Sequence, residues 1–113
     1  MNKEQLLAAM ESEVKEIEIK ALGSVLRFKA LTGKARDAFG ASVTAGDKSN
    51  GHFEACLLVA TVVDEAGNPM FDASEIDVLR GKDSATVSEM AVAAMKFNSM
   101  GGEAAKTKDQ PVA

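Results

Sequence analysis

The longest apolar stretch of the chain runs from Phe53 to Val63 and predicts a central helix. It reads FEACLLVATVV and contains two polar residues, Glu54 and Thr61. Its length and its lack of polar alternation favour a helix, although three β-branched valines leave a buried strand open as an alternative. A segment that is apolar on all sides is buried among other elements. We therefore expect the rest of the domain to pack around it.

Two runs of alternating polar and apolar residues precede this stretch and predict a β-hairpin. The first run extends from Val14 to Ala21 and the second from Val25 to Ala30, with the turn at Leu22-Gly23-Ser24. The predicted apolar face consists of Ile17, Ile19, Leu26 and Phe28. An isolated two-stranded hairpin is marginally stable, so it has to pack on the helices or pair its edges with another chain.

Capping residues mark where the helices begin. The predicted helix starts are Asn2, Thr32, Asn50 or Gly51, Asp72, and Asp83 or Ser84. Asn2 and Asp72 are each followed three residues later by Gln or Glu, which together form a capping box. The fold class that follows is α+β, with an N-terminal hairpin and then a mainly helical domain of about four helices.

The length of 113 residues suits one domain, which we predict over residues 1–102. Residues 103–113 are small and charged, so we expect a flexible, disordered tail there. The net charge of −4 argues against binding to nucleic acid or to anionic membranes. The opening residues are too acidic for a signal peptide, and no apolar run approaches the roughly 20 residues that span a bilayer. A cytoplasmic protein is expected.

Two groups of residues partly match the ligand spacing of known metal sites. Asp64 to Glu75 has four of five oxygen donors at the spacing of a calcium loop, but Ala66 cannot ligate and Pro69 replaces the required glycine. A turn followed by a capped helix is the favoured interpretation. His52 and Cys56 share a helix face like half of a zinc site, yet the chain has no second His or Cys. Core packing is favoured there.

The remaining residues offer no hydrolase triad and no phosphate-binding loop. We therefore predict no catalytic residue, no metal site and no cofactor.

Three stretches resemble the tail assembly chaperones of long-tailed, siphovirus-type bacteriophages. Val25 to Phe39, VLRFKALTGKARDAF, is similar to their strand-then-helix opening. Leu57 to Leu79, which contains VVDEAGNPMFDASEIDVL, resembles their apolar helix, Asp-Glu-x-Gly turn and second helix. Phe97 to Gly101 resembles their closing Asn-x-x-Gly segment. The chain departs from the family in its last residues, EAAKTKDQPVA, and in the helix-forming segment before the first strand.

The resemblance implies a non-enzymatic protein of the host bacterial cytoplasm that forms homo-oligomers. Such a protein coats the tape measure protein and keeps it soluble until tail tube protein polymerises around it. It is expected to be absent from the mature virion. The alternative is a structural head–tail connector or tail subunit that stays in the particle.

Six residues are candidates for partner binding or self-association. They are Val25, Arg27 and Lys29 in the hairpin, and Met90, Met95 and Phe97 in the last helix. Strand edges and methionine-rich helices provide the backbone groups and adaptable apolar surface that such binding needs. For the last three residues, core packing is the favoured alternative.

Overall fold

Residues 1–100, the part of the chain that the computed structural model describes, form five α-helices and one two-stranded antiparallel sheet. In chain order the elements are α1 (Lys3–Ala9), β1 (Val14–Ile19), β2 (Ser24–Lys29), α2 (Gly33–Ala45), α3 (Asn50–Thr61), α4 (Ile76–Arg80) and α5 (Ser84–Phe97). This order confirms the α+β class, with slightly more helices than the four expected. The predicted tail, residues 103–113, lies outside the described residues.

The hairpin buries the face that the alternation predicted. Ile17 lies opposite Leu26 in the register, and Phe28, two residues further along β2, is fully buried. The first strand is shorter than predicted, because Lys20–Leu22 form a 3-10 turn and do not continue the alternation. Gly23 closes that turn at φ +66°, a left-handed conformation that glycine adopts without strain.

The central stretch is helical except at its end, where the prediction was wrong. Helix α3 ends at Thr61, and Val62 and Val63 are extended and pair with Phe28 and Pro69. The Val63 N–H donates to the Arg27 carbonyl at 3.0 Å. β-branched residues fit this extended backbone well. As a result, the outer edge of β2 is partly covered by the protein itself.

Helix α3 occupies the centre of the domain, as the sequence predicted. It packs against α2, α4 and α5. The completely buried side chains are Ile19, Phe28, Ala55, Leu57, Leu58, Thr61, Val62, Ala91 and Ala94. At its start, the Ser49 hydroxyl accepts a hydrogen bond from the His52 N–H, so Ser49 is the cap and Asn50 the first helical residue. None of the helices in residues 1–100 has the length and apolarity needed to cross a bilayer.

Two polar side chains, Glu89 in α5 and Asn98 directly after it, hold the hairpin region against the helices. The Lys20 and Ala21 N–H groups donate to the Glu89 carboxylate at N···O distances of 2.5 and 3.1 Å. At the other end of the helix, the Asn98 side chain accepts from the Leu31 N–H at 2.8 Å. The asparagine of the closing segment therefore joins α5 to the β2–α2 connection.

Replacing Glu89 with glutamine should loosen the hairpin turn. A neutral amide oxygen accepts more weakly than a carboxylate, so we expect a loss of about 1 kcal/mol in the free energy of unfolding. Amide hydrogen exchange at Lys20 and Ala21 should accelerate. Glu18→Gln, at an exposed position of the same hairpin, is the control. Equal exchange in both variants would contradict this anchoring role.

Candidate binding surfaces

A groove runs between the first strand and the last helix. Its volume is about 570 Å³, and its lining consists of Lys15, Glu16, Ile17, Glu18, Ile19, Glu89, Val92, Ala93, Lys96 and Phe97. We call it the β1–α5 groove. Ile17, Ala93 and Phe97 are half-buried, and Val92 is 41% exposed. The groove therefore offers an apolar floor between charged rims.

The other side of the hairpin forms a second surface, which carries the three predicted β2 residues. Val25 is 54% exposed, and Arg27 and Lys29 are half-buried. Arg27 lies opposite Glu16 in the register and pairs with its carboxylate at 2.7 Å. It also donates to the Glu65 carbonyl at 2.8 Å, so its guanidinium is held in place from two sides.

The three predicted α5 residues do not join the β2 residues in one surface. Met90 is 9% exposed and belongs to the core, and Met95 is half-buried against it. Phe97 is half-buried and lines the β1–α5 groove. In the single chain, core packing therefore accounts for Met90. A role of any of the six residues in partner binding stays a prediction.

Helix α1 forms a further apolar surface, and none of the six candidate residues for partner binding lies on it. None of its residues is buried. The side chains of Leu6 and Leu7 are about half exposed, and that of Met10, directly after the helix, is 67% exposed. The spacing of positions 6, 7 and 10 places these three residues on one side of the helix. What the sequence could not tell is that this side faces solvent.

The His52 and Cys56 pair lies inside the fold. The His52 ring is buried, and its Nε2 lies 2.8 Å from the Ser42 carbonyl, so Nε2 carries a proton and donates. The Cys56 sulfur lies 3.4 Å from the same nitrogen. Burial raises the pKa of the Cys56 thiol, which keeps it protonated and a poor nucleophile. Both residues fit the core interpretation.

Three acidic side chains of the segment from Asp64 to Glu75 accept hydrogen bonds from nearby backbone N–H groups. The Asp64 carboxylate accepts from the Ala66 and Asn68 N–H groups at 2.9 and 3.0 Å, which closes the turn. Asp72 and Glu75 form a capping box at the 3-10 turn before α4. This is the favoured turn-and-cap arrangement. Across the described part of the chain, no three His, Cys, Asp or Glu residues gather in a way that could hold a metal ion.

Comparison with known proteins gives a structural likeness to a solved protein. No family model matches the chain, and no curated protein matches it. Among solved structures it is similar to the bacteriophage HK97 tail assembly chaperone, with a TM-score of 0.58 and 17% sequence identity. The match covers 85% of this chain and 94% of that one. The domain thus has a tail-chaperone-like fold, which agrees with the resemblance noted in the sequence.

Proposed function

We propose that this protein is a phage tail assembly chaperone. It binds the tape measure protein in the host bacterial cytoplasm, keeps it soluble, and promotes polymerisation of tail tube protein around it. The observation that carries this proposal is the match to nearly the whole length of the HK97 chaperone. The three resembling stretches, which occur in the family's order, support it independently.

The exposed apolar side chains supply a means of binding a long hydrophobic client. Val25 and Met70 are both about half exposed, and they line one shallow hollow of about 290 Å³ beside Arg27. Each contact of this kind removes little apolar area, at about 25 cal/mol per Å², so one copy binds weakly. Copies that also associate with one another bind one client as a multivalent array, and therefore more tightly. The net charge of −4 per copy makes the coated client negative, and repulsion between coated clients keeps them in solution.

The proposed activity needs no covalent chemistry. The residues best suited to chemistry have other contacts: the His52 ring donates to a carbonyl, the Cys56 thiol is buried, and the Asp64 carboxylate closes a turn. These contacts support a protein that acts by reversible binding.

Co-expression with the tape measure protein encoded by the same phage tests the proposal. We expect the soluble fraction of the tape measure protein to rise several-fold and the two chains to copurify. Val25→Asp should weaken both effects because it places a charge on the apolar hairpin surface. Val78→Asp, at an equally exposed position on α4, is the matched control. A tape measure protein that stays insoluble, with no complex recovered, would overturn the proposal.

The protein content of finished phage particles distinguishes a chaperone from a connector or tail subunit. A chaperone should be missing from purified virions when their proteins are counted by mass spectrometry. Recovery of this chain in stoichiometric amounts would favour the structural alternative.

A further inference from the structure

The sheet has an open edge on the outer side of β1. Among residues 1–100, β1 pairs with β2 only, and the opposite edge of β2 is partly covered by Val62 and Val63. Helix α1 does not line the groove that runs beside β1. An open strand edge presents unpaired N–H and C=O groups, to which another extended chain can bind.

The register shows which backbone groups of β1 point outward. The Ala30 N–H donates to the Glu13 carbonyl at 2.8 Å, which makes these two residues a hydrogen-bonded pair. Such pairs alternate along an antiparallel ladder with pairs that share no hydrogen bond, so Glu16 and Arg27 are of the second kind. The Arg27 carbonyl agrees with this, because it accepts from the Val63 N–H at 3.0 Å, on the side away from β1. The backbone N–H and C=O of Glu16 therefore point away from β2.

The same alternation turns the backbone groups of Val14 and Glu18 outward. No hydrogen bond from another part of residues 1–100 reaches the N–H or C=O groups of these two residues or of Glu16. The row extends about 14 Å along the strand. It is long enough to pair with about five residues of an extended chain.

The β1–α5 groove lies along this edge. Every residue from 15 to 19 lines it, so side chains from both faces of the strand border the groove. Helix α5 forms the other wall and runs antiparallel to β1, since Glu89 accepts from the Lys20 N–H and Asn98 accepts from the Leu31 N–H. The groove therefore follows the open row of backbone groups.

The inner side of the groove is apolar. Ile17 of β1 and Ala93 and Phe97 of α5 are half-buried, and Val92 is 41% exposed. Successive side chains of an extended segment point to opposite faces. Every second residue of an occupant therefore faces this wall and is apolar.

The outer side of the same edge is acidic. Glu16 and Glu18 are exposed, and Glu16 shares its carboxylate with Arg27 at 2.7 Å. Glu18 lies opposite Val25 and forms no ion pair with any residue of the described part of the chain. Oppositely charged side chains directly across two strands stabilise their pairing. The outward side chains of an occupant are therefore lysine or arginine.

The other charged residues of the groove do not change this selection. Lys15 is on the same face of β1 as Ile17, and Lys96 is on α5, so both border the inner side. The Glu89 carboxylate already accepts from two backbone N–H groups. The charge left to be paired on the outer side is that of Glu18.

We propose that the open edge of β1 binds an extended segment of a partner protein in which apolar residues alternate with lysine or arginine. The segment adds a third strand to the sheet, its apolar side chains fill the β1–α5 groove, and its basic side chains meet Glu18 and Glu16. The inference goes beyond the proposed function. It concerns a second surface, on the other side of the hairpin from the hollow at Val25 and Met70, and it needs no tape measure protein.

A synthetic peptide tests this binding on the full chain. The probe is Lys-Val-Lys-Val-Lys-Val-Lys, blocked at both ends, added to isotope-labelled protein and followed by NMR. We expect saturable shifts along β1 and α5. At nine-tenths saturation, exchange of the Glu16 and Glu18 amides should slow about tenfold, because only the free fraction exchanges. The Ile17 amide, which points to β2, should change little. A peptide with the same residues in block order, four lysines and then three valines, is the control for general charge attraction and should give no such protection.

Two substitutions at one position separate the backbone contact from the charge. Glu18→Pro removes the outward N–H and no hairpin hydrogen bond, since proline is tolerated on an edge strand when its nitrogen faces outward. It should abolish saturable binding. Glu18→Gln keeps the N–H and should weaken binding about twofold to fivefold.

A substitution in α5 tests the apolar wall of the groove. Val92→Asp places a charge on this wall and should weaken peptide binding. Val78→Asp, at an exposed position of α4 outside the groove, should bind the peptide like the wild type.

Four results would overturn the proposal. The first is protection of the Glu16 and Glu18 amides in the free monomer, which would mean that the chain covers its own edge. The second is protection that rises with protein concentration alone, which would assign the edge to a second copy. The others are equal protection by both peptides and unchanged affinity in Glu18→Pro. The exchange pattern needs no variant, so it decides the matter even if a substitution prevents folding. Solubility of the tape measure protein is measured separately, so the proposed function would stand if the peptide failed to bind.

Discussion

Phe28→Ala is expected to lower the free energy of unfolding by about 3–5 kcal/mol, the usual range for truncating a buried phenylalanine. Phe28 is 0% exposed and is the largest of the completely buried side chains. It lies on β2 and pairs through its backbone with Val62, at the junction of the hairpin and the central helix. Truncation therefore leaves a cavity where the two halves of the fold meet.

Chemical denaturation measures this loss, and Val25→Ala in the same strand is its control. Val25 is half exposed, so its truncation should change the free energy of unfolding by less than about 0.5 kcal/mol. The free energy of unfolding of a domain of this size is about 5–15 kcal/mol in total, so the Phe28 variant should unfold at a clearly lower denaturant concentration than the wild type. Similar midpoints for the two variants would contradict the described core.

Gly46→Ala should lower the free energy of unfolding by about 1–3 kcal/mol through overpacking. A Cβ at Gly46 would lie 2.0 Å from Nε2 and 2.1 Å from Cε1 of His52. The ring cannot easily withdraw, because it is buried and donates to the Ser42 carbonyl at 2.8 Å. Gly46 itself has extended backbone angles that alanine also adopts, so the expected cost is steric alone.

Two further variants isolate this cause. Gly40→Ala places the same methyl group in α2, where nothing lies within 4 Å of the new Cβ, and should stabilise the helix by about 0.5–1 kcal/mol. In a His52→Ala background, Gly46→Ala should cost little, because the clashing ring is gone. Thermal and chemical unfolding of the wild type, the Gly46→Ala variant, the His52→Ala variant and the double variant give the coupling energy between the two positions. An unchanged cost without the ring would show that His52 is not the obstacle.

The hairpin could be predicted because one of its faces is buried and the other is not. Ile17 is half-buried and Ile19 buried, whereas Glu16 and Glu18 are exposed, and this leaves a period of two in the sequence. Capping chemistry is local as well, so the helix starts at Asn2, Thr32 and Asp72 were visible in single residues. Both signals depend on neighbours in the chain.

The end of the central helix could not be predicted in the same way. Thr61, Val62 and Val63 are all buried, so no polar alternation separates the helical residue from the extended ones. The change is caused by pairing with Phe28, more than thirty positions earlier. A partner so distant in sequence leaves no local pattern.

The candidate surfaces were only partly predictable for the same reason. An apolar stripe at helical spacing looks alike whether it packs inside, as Met90 does, or faces solvent, as Leu7 does. The β1–α5 groove combines residues 15–19 with residues 89–97. Only the folded arrangement brings these two segments together.

Disrupting this gene in the phage that carries it tests the central claim most directly, with tails counted by electron microscopy after infection. The proposed function predicts particles without tails and insoluble tape measure protein, both corrected when the protein is supplied from a plasmid. Tails of normal number and length in the absence of the protein would contradict it.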